Sequence, residues 1–201
     1  MATARTATVG RPRAFDIETA LDAALEVFWK HGYEGASMTD LTEAMGINRP
    51  ALYAAFGSKK GLFFRALDLY YRVEAVHTFQ ALREPTARLV TEQYLVRSVE
   101  QLTNPARPMG CFVLQSALAC SKENQDVTDH MTGLRNAAEK ELRQRYERAV
   151  RDGDLTDGED PTSLARYVCV VRHGLAVLAC GGVTRAELED SVRRTLVSLF
   201  P

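Results

Sequence analysis

The chain of 201 residues has little that would mark a secreted, fibrous or membrane-spanning protein. Cysteine is scarce: Cys111, Cys120, Cys169 and Cys180 are spread too widely for a zinc knuckle or a disulfide framework, and they read as reduced, cytosolic thiols. Long apolar runs are missing. The longest charge-free stretches, Pro108 to Ser121 and His173 to Thr184, fall short of the roughly 20 residues of a bilayer-spanning helix, so no membrane partner is expected. No apolar segment follows the basic start, so no secretory leader is expected. Neither sign of charge is in surplus, with 25 Lys+Arg against 26 Asp+Glu, which excludes a uniformly basic coat for nucleic acid and confines any such contact to a patch. Catalytic signatures are also lacking. There is no glycine-rich phosphate loop, no paired carboxylates in an apolar setting, no Ser/His/Asp arrangement and no ligand pair at metal spacing. No catalytic residue, metal or cofactor is assigned.

What the sequence has is helical periodicity almost throughout. Leu21, Ala24, Leu25 and Phe28 form one apolar stripe, and Leu188, Val192, Thr195, Leu196 and Leu199 another. The pattern predicts an all-α protein with helices over 16–31, 38–45, 49–55, 59–82, 86–103, 110–121, 125–152, 161–180 and 185–199. Gly32, Gly46, Gly110, Gly153, Gly158 and the pair Gly181-Gly182 fall between these segments, where helices stop. Ser37 with Asp40 and Thr184 with Glu187 have capping-box spacing, and Asn48 and Ser58 are good N-caps. Pro105 and Pro108 break the chain between helices, and 152–161 is an acidic linker. Residues 1–15, with Arg5, Arg11, Arg13 and no acid, read as a flexible basic arm.

The segment 38–56 holds two short helices joined through Gly46-Ile47-Asn48, the tight turn that a helix-turn-helix requires. Such a motif lays its second helix in the major groove, which calls for small side chains and for donors near the N-terminus of that helix. In Arg49-Pro50-Ala51-Leu52-Tyr53-Ala54-Ala55-Phe56, Leu52 and Phe56 are four apart and face the core, leaving Arg49, Ala51, Tyr53, Ala54 and Ala55 toward DNA. Arg49 is the long donor suited to guanine, the alanine methyls suit a thymine methyl, and the Tyr53 hydroxyl suits a phosphate. Ser37, Thr39, Lys59 and Lys60 sit at helix starts, where backbone N–H groups also favour phosphate. Arg11 and Arg13 fit a narrow minor groove.

From Gly10-Arg11-Pro12 the chain runs through Ala20-Leu21-Asp22-Ala23-Ala24, Phe28, Gly32-Tyr33-Glu34-Gly35, Thr39-Asp40-Leu41, Ala44-Met45-Gly46-Ile47-Asn48, Leu52-Tyr53, Phe56, Ser58-Lys59 and Leu62-Phe63. In order and spacing this resembles the TetR/AcrR family of bacterial transcriptional regulators. The resemblance implies a nine-helix, two-domain protein: a helix-turn-helix domain over 16–58 and a helical ligand-binding and dimerisation domain over 59–201. It implies operator contacts at Arg49, Pro50, Ala51, Tyr53, Ala55 and Lys59, with Asn48 opening the reading helix. It further implies a cytoplasmic homodimer that binds double-stranded operator DNA, released by a small-molecule effector whose identity is open. Ala54 and Ala55 depart from the bulkier or polar residues of many relatives, which shifts base readout toward Arg49, methyl contacts and DNA shape.

Beyond residue 73 the resemblance thins. The stripe of Leu164, Val168, Val171, Leu175 and Leu178, with that of Leu188, Val192, Leu196 and Leu199, forms either a dimer surface or the subunit's own core; Gly174, Ala176, Ala179 and Gly181 favour close approach of a partner helix. A mainly apolar pocket with a few polar groups is expected among Tyr94, Leu102, Met109, Phe112, Val113, Gln115, Ser116, Leu118, His130, Met131, Leu134, Arg172 and His173. Arg172 in an apolar helix is paired, at a rim, or turned to a ligand. Two alternatives stand beside a ligand-responsive repressor: a thiol-based redox sensor using the four cysteines, and a small helical enzyme using Cys111 or His130. A helix over 110–121 would put Cys111 and Cys120 on opposite faces, too far apart to bridge.

Overall fold

The computed structural model describes residues 16–200 apart from 117 and 119. Arg11 and Arg13 lie outside these residues. Helix α1 (Ile17–Gly35) packs on α2 (Met38–Met45), and α3 (Arg49–Phe56) follows across the turn. Then come α4 (Lys59–Tyr70), a π-helical stretch (Tyr71–Ala75), α5 (Val76–Gln80) and a 3-10 turn (Ala81–Arg83) in one continuous rod. The remaining helices are α6 (Ala87–Leu102), α7 (Phe112–Gln115), α8 (Gln125–Arg151), α9 (Pro161–Cys180) and α10 (Arg185–Leu199). With the rod taken as one unit and the 3-10 turn Lys122–Asn124 taken with α8, the described residues form nine helical units and no strand, as the periodicity predicts.

Local chemistry sets the starts. Ser37 with Asp40 and Thr184 with Glu187 form both halves of a capping box, while Asn48 Oδ1 accepts from Ala51 N at 2.9 Å and Ser58 Oγ from Gly61 N at 2.9 Å. Gly46 closes α2 in the left-handed region at φ 64°, the conformation that makes the turn into α3 tight.

Two segments differ from the sequence reading. The helix predicted over 110–121 shrinks to α7, because the Ser116 carbonyl accepts Tyr33 N at 2.9 Å and the Ser116 hydroxyl turns back onto Phe112 O at 2.6 Å. The chain at Tyr33 is free to do this because Gly32, at φ 71°, interrupts α1. With no helix joining Cys111 to Cys120, the face argument for that pair lapses. The rod 59–83 replaces the uniform helix predicted over 59–82, and its π stretch widens the backbone beside an internal cavity.

One apolar core runs through the whole fold. Its centre is a cluster of rings from α1, α4 and α7: Trp29 lies edge-on to Tyr70 at 5.0 Å, Phe63 meets Phe28 at 5.2 Å and Tyr33 at 5.1 Å, and Phe112 sits 5.5 Å from Phe63. Each buried ring contributes roughly 1.5–3 kcal/mol of transfer free energy. The helix-turn-helix is thereby fused to the rest of the chain rather than tethered to it. Arg107, between α6 and α7, adds a polar joint: it donates to both Asp22 carboxylate oxygens at 2.8 and 3.0 Å and to Glu74 at 2.6 Å, with Glu26 at 3.6 Å. Helix α9 is, among the described residues, long and apolar enough by length and composition to cross a membrane; its apolar residues divide between this core and an exposed strip.

Candidate nucleic-acid interface and internal cavity

Helix α3 stands on Leu52 and Phe56, both buried in the same core as Leu41 and Met45 of α2. Its outer face carries Arg49, Pro50, Tyr53 and Ala54, all exposed, with Tyr53 at 49%. The Arg49 guanidinium donates to Thr39 Oγ1 at 3.2 Å, so the long donor is steered across the N-terminal ends of α2 and α3. Ser37, Thr39 and Asn48 are exposed beside it, Ser37 and Asn48 with their side chains engaged as caps. Small residues, one arginine and one phenol therefore share an outward face with two helix N-termini, a set of donors fit for a polyanion.

Two expected contacts sit differently. Ala51 and Ala55 are half-buried, and Ala55 packs against the core, which removes its methyl from the outermost surface. Lys59 is also half-buried: its ammonium lies 4.8 Å over the Tyr33 ring and donates to Glu34 O at 3.4 Å, and burial lowers its pKa from the ordinary lysine value. Lys60 is held by Asp126 at 2.7 Å, a bond from the start of α4 to the start of α8. Nearby, Glu34 accepts from Asn124 Nδ2 at 2.9 Å and Ser121 N at 2.8 Å, bonds that hold its carboxyl at about 2. The back of the reading head is thus clasped by the 121–126 segment.

The internal cavity lies beside the rod. Of the residues expected to line a pocket, Tyr94, Val113, Leu134, Arg172 and His173 do. The others do not. Leu102, Phe112 and Met131 are fully buried core, Met109 and Leu118 are exposed, and His130 is exposed against the Phe64 ring at 4.8 Å. Gln115 bridges Trp29 Nε1 at 3.2 Å and Cys180 Sγ at 2.7 Å, and Ser116 is spent on Phe112 O. Sequence reasoning missed Tyr70, Tyr71, Ala75, Thr78, Phe79, Arg135, Ala138 and Cys169. Five of these lie on the rod, which the uniform-helix reading treated only as a connector, and with Arg72, Glu74, His77 and Gln80 around Thr78 no local pattern marks them.

Arg172 is half-buried and engaged within its own subunit. Its Nε donates to Ser98 Oγ at 3.0 Å, its Nη2 lies 3.9 Å from Cys111 Sγ, and the guanidinium stands 5.8 Å from the Tyr94 ring centroid. Arg135 donates to Val113 O at 3.2 Å and Thr132 Oγ1 at 2.8 Å. Burial, with these two arginines, pushes His173 down to about 4, so it is neutral near pH 7. Burial raises Cys169 to about 11, which keeps that thiol protonated. The cavity is small, about 30 Å³, room for a water or two.

The dimer stripes need correcting. Leu164, Val168, Leu175, Leu188, Val192 and Leu196 are buried inside their own subunit, and Val171 and Leu199 are half-buried, because the regular stripe is the one that faces α6, α8 and the core. Of the residues expected at an interface, Leu178 stands exposed. The outward apolar strip is offset by part of a turn: Tyr167, Val170 at 61%, Val177 at 60% and Leu178 on α9, with Val197 at 69% on α10. Gly174 lies in its middle.

An all-α protein with a helix-turn-helix on one end and a cavity behind it is the architecture of a one-component regulator. The description "Bacterial regulatory proteins, tetR family" matches residues 20–66, and "Tetracyclin repressor-like, C-terminal domain" matches residues 75–195. Among curated proteins, the HTH-type transcriptional repressor ComR of Escherichia coli (strain K12) is 32% identical over 194 residues, covering 96% of this chain and 92% of that one. The HTH-type transcriptional repressor BdcR of the same organism is 36% identical over 120 residues, 59% of this chain and 60% of that one. Among solved structures, a cysteine mutant of the TetR family transcriptional regulator CifR, complexed with 26-bp double-strand operator DNA, superposes with a TM-score of 0.90 at 41% identity, covering 95% of this chain and 100% of that one. This chain belongs to the TetR family of transcriptional regulators, a family of non-enzymes.

Proposed function

We propose that the protein is a dimeric transcriptional repressor that binds double-stranded operator DNA through α3 and leaves it when a small molecule occupies the internal cavity. The observation that carries this reading is the outward face of α3, where Arg49, Pro50, Tyr53 and Ala54 stand exposed beside the N-termini of α2 and α3. ComR and BdcR are named repressors, and CifR is held on its operator by the same fold. Arg49 reads a base, while Ser37, Thr39, Asn48, Pro50 and Tyr53 set the register on phosphates and the groove wall. Lys59, leaving the Tyr33 ring, adds a phosphate contact.

A second copy supplies the second reading head. The offset strip of Tyr167, Val170, Val177, Leu178 and Val197 is the apolar surface it would cover, with Gly174 admitting close helix approach. Release follows from the rod: Tyr70, Tyr71, Ala75, Thr78 and Phe79 wall the cavity, and the same rod begins at Lys59 directly behind α3. A molecule that needs more than the present 30 Å³ favours a state in which the rod is displaced, and the two heads leave the spacing of successive grooves. A typical coupling of about 1–3 kcal/mol weakens operator binding roughly 5- to 150-fold. Fluorescence anisotropy on DNA from upstream of the protein's own gene, against scrambled DNA and across a salt series, tests the reading: selective, salt-sensitive binding is expected. If a random-sequence selection also yields no preferred site, the reading fails.

A further inference from the structure

The cavity walls are cationic in a way that the fold does not itself neutralise. Arg172 and Arg135 both face it, and among the described residues neither makes an ion pair with a carboxylate; their partners are Ser98 Oγ, Thr132 Oγ1, the Val113 carbonyl, a thiol and a ring. The acid near this region, Glu139, is engaged by Arg166 at 3.0 Å. A further lining group lacks any partner: Thr78 Oγ1 is buried, its residue only 2% exposed, and makes no hydrogen bond. The other walls are the rings of Tyr70, Tyr71, Phe79 and Tyr94.

Holding half-buried guanidinium groups against an apolar cavity without a counter-charge costs stability, and the unpartnered buried Thr78 hydroxyl adds to that cost. Such groups persist where a ligand completes them. We propose that this cavity is a site for a singly charged organic anion, a carboxylate on a small aromatic or short aliphatic body, with Arg172 and Arg135 donating to the carboxylate, Thr78 Oγ1 donating a further hydrogen bond and the rings enclosing the body. The proposal rests on the effector reading above and narrows it to a ligand class. A phosphate is disfavoured: it would lose a larger hydration shell than these few donors replace, and it has no apolar part for the rings. The π stretch Tyr71–Ala75 forms the wall that must give way for the ligand to enter, which places the anion against the rod.

The test is isothermal titration calorimetry on the full-length protein without DNA. Benzoate, phenylacetate and hexanoate are compared with their neutral amides and with inorganic phosphate. At least one carboxylate is expected to bind about tenfold or more tighter than its own amide, a preference that Arg172→Gln and Arg135→Gln each abolish. Amides binding as tightly as their acids, no binding by any carboxylate, phosphate binding as well as the best carboxylate, or variants that keep the preference would each overturn it. Should Arg172→Gln fail to fold by circular dichroism, Arg135→Gln decides. Operator anisotropy is run in parallel. Intact operator binding with no carboxylate binding sinks the anion proposal alone, whereas no binding by the unliganded protein to the upstream DNA or to any site from random-sequence selection sinks the repressor reading.

Discussion

At the scale of single residues, Gly110 and His173 carry the sharpest consequences. Gly110 has φ 93°, and a Cβ there would collide with Cys180 Sγ, so Gly110→Ala meets backbone strain and a steric clash together. A loss of about 2–3 kcal/mol in urea unfolding is expected, and an unchanged midpoint would contradict the packing described. His173 titrates near 4 in the folded protein and near 6.5 when unfolded. The unfolded chain therefore takes up a proton that the folded chain refuses. His173 leaves stability untouched above pH 6.5 and subtracts from it as pH falls toward 4. Thermal melts of wild type between these limits are expected to fall more steeply than those of His173→Gln; parallel slopes would show the imidazole to be solvated.

At the scale of elements, the joint around Arg107 links α1, the π stretch of the rod and the segment before α7. Its side chain is 15% exposed and Glu74's 10%, so Arg107→Ala strands a mostly buried carboxylate beside Asp22 and Glu26. A loss of about 2–4 kcal/mol is expected by denaturant unfolding. A change under 0.5 kcal/mol, about what an exposed pair is worth, would reject the joint. The elements were largely legible in the sequence, since stripes such as Leu21, Ala24, Leu25 and Phe28 and caps such as Ser37 and Thr184 are local patterns. The stop after Ser116 was not legible. It depends on Tyr33 N reaching across from another helix, and no local propensity records that bond. For the same reason the cavity was half legible: Arg172 and His173 are odd polar residues in the apolar helix α9, but the rod's contribution depends on how Thr78 and Phe79 of α5 come to face α8 and α9 across the cavity. The dimer stripe failed for a different reason. A buried helix face and an interface face have the same periodicity, and only the fold shows that Leu164 and Val168 point inward while Val170 and Val177 point out.

At the scale of the whole molecule, the proposed dimer would couple assembly to DNA reading, because two heads at fixed spacing bind jointly what one head binds weakly. Val170→Arg together with Val177→Asp is expected to give a folded monomer by analytical ultracentrifugation, with helical content unchanged by circular dichroism. A double variant that sediments as wild type would move the interface elsewhere. The continuous core gives the proposed coupling between cavity and reading head a mechanical route, since Trp29, Phe63 and Phe112 tie α1, α4 and α7 into one packed cluster. The face of α3 is the feature on which the rest depends, and its most direct test compares Arg49→Ala with Arg151→Ala, an exposed arginine at the end of α8, for anisotropy on the selected operator at one salt concentration. Arg49→Ala is expected to lose about 1–3 kcal/mol of operator binding, roughly 5- to 150-fold, with the fold intact, while Arg151→Ala binds as wild type. Equal operator affinity for wild type and Arg49→Ala would show that α3 does not read DNA through this face.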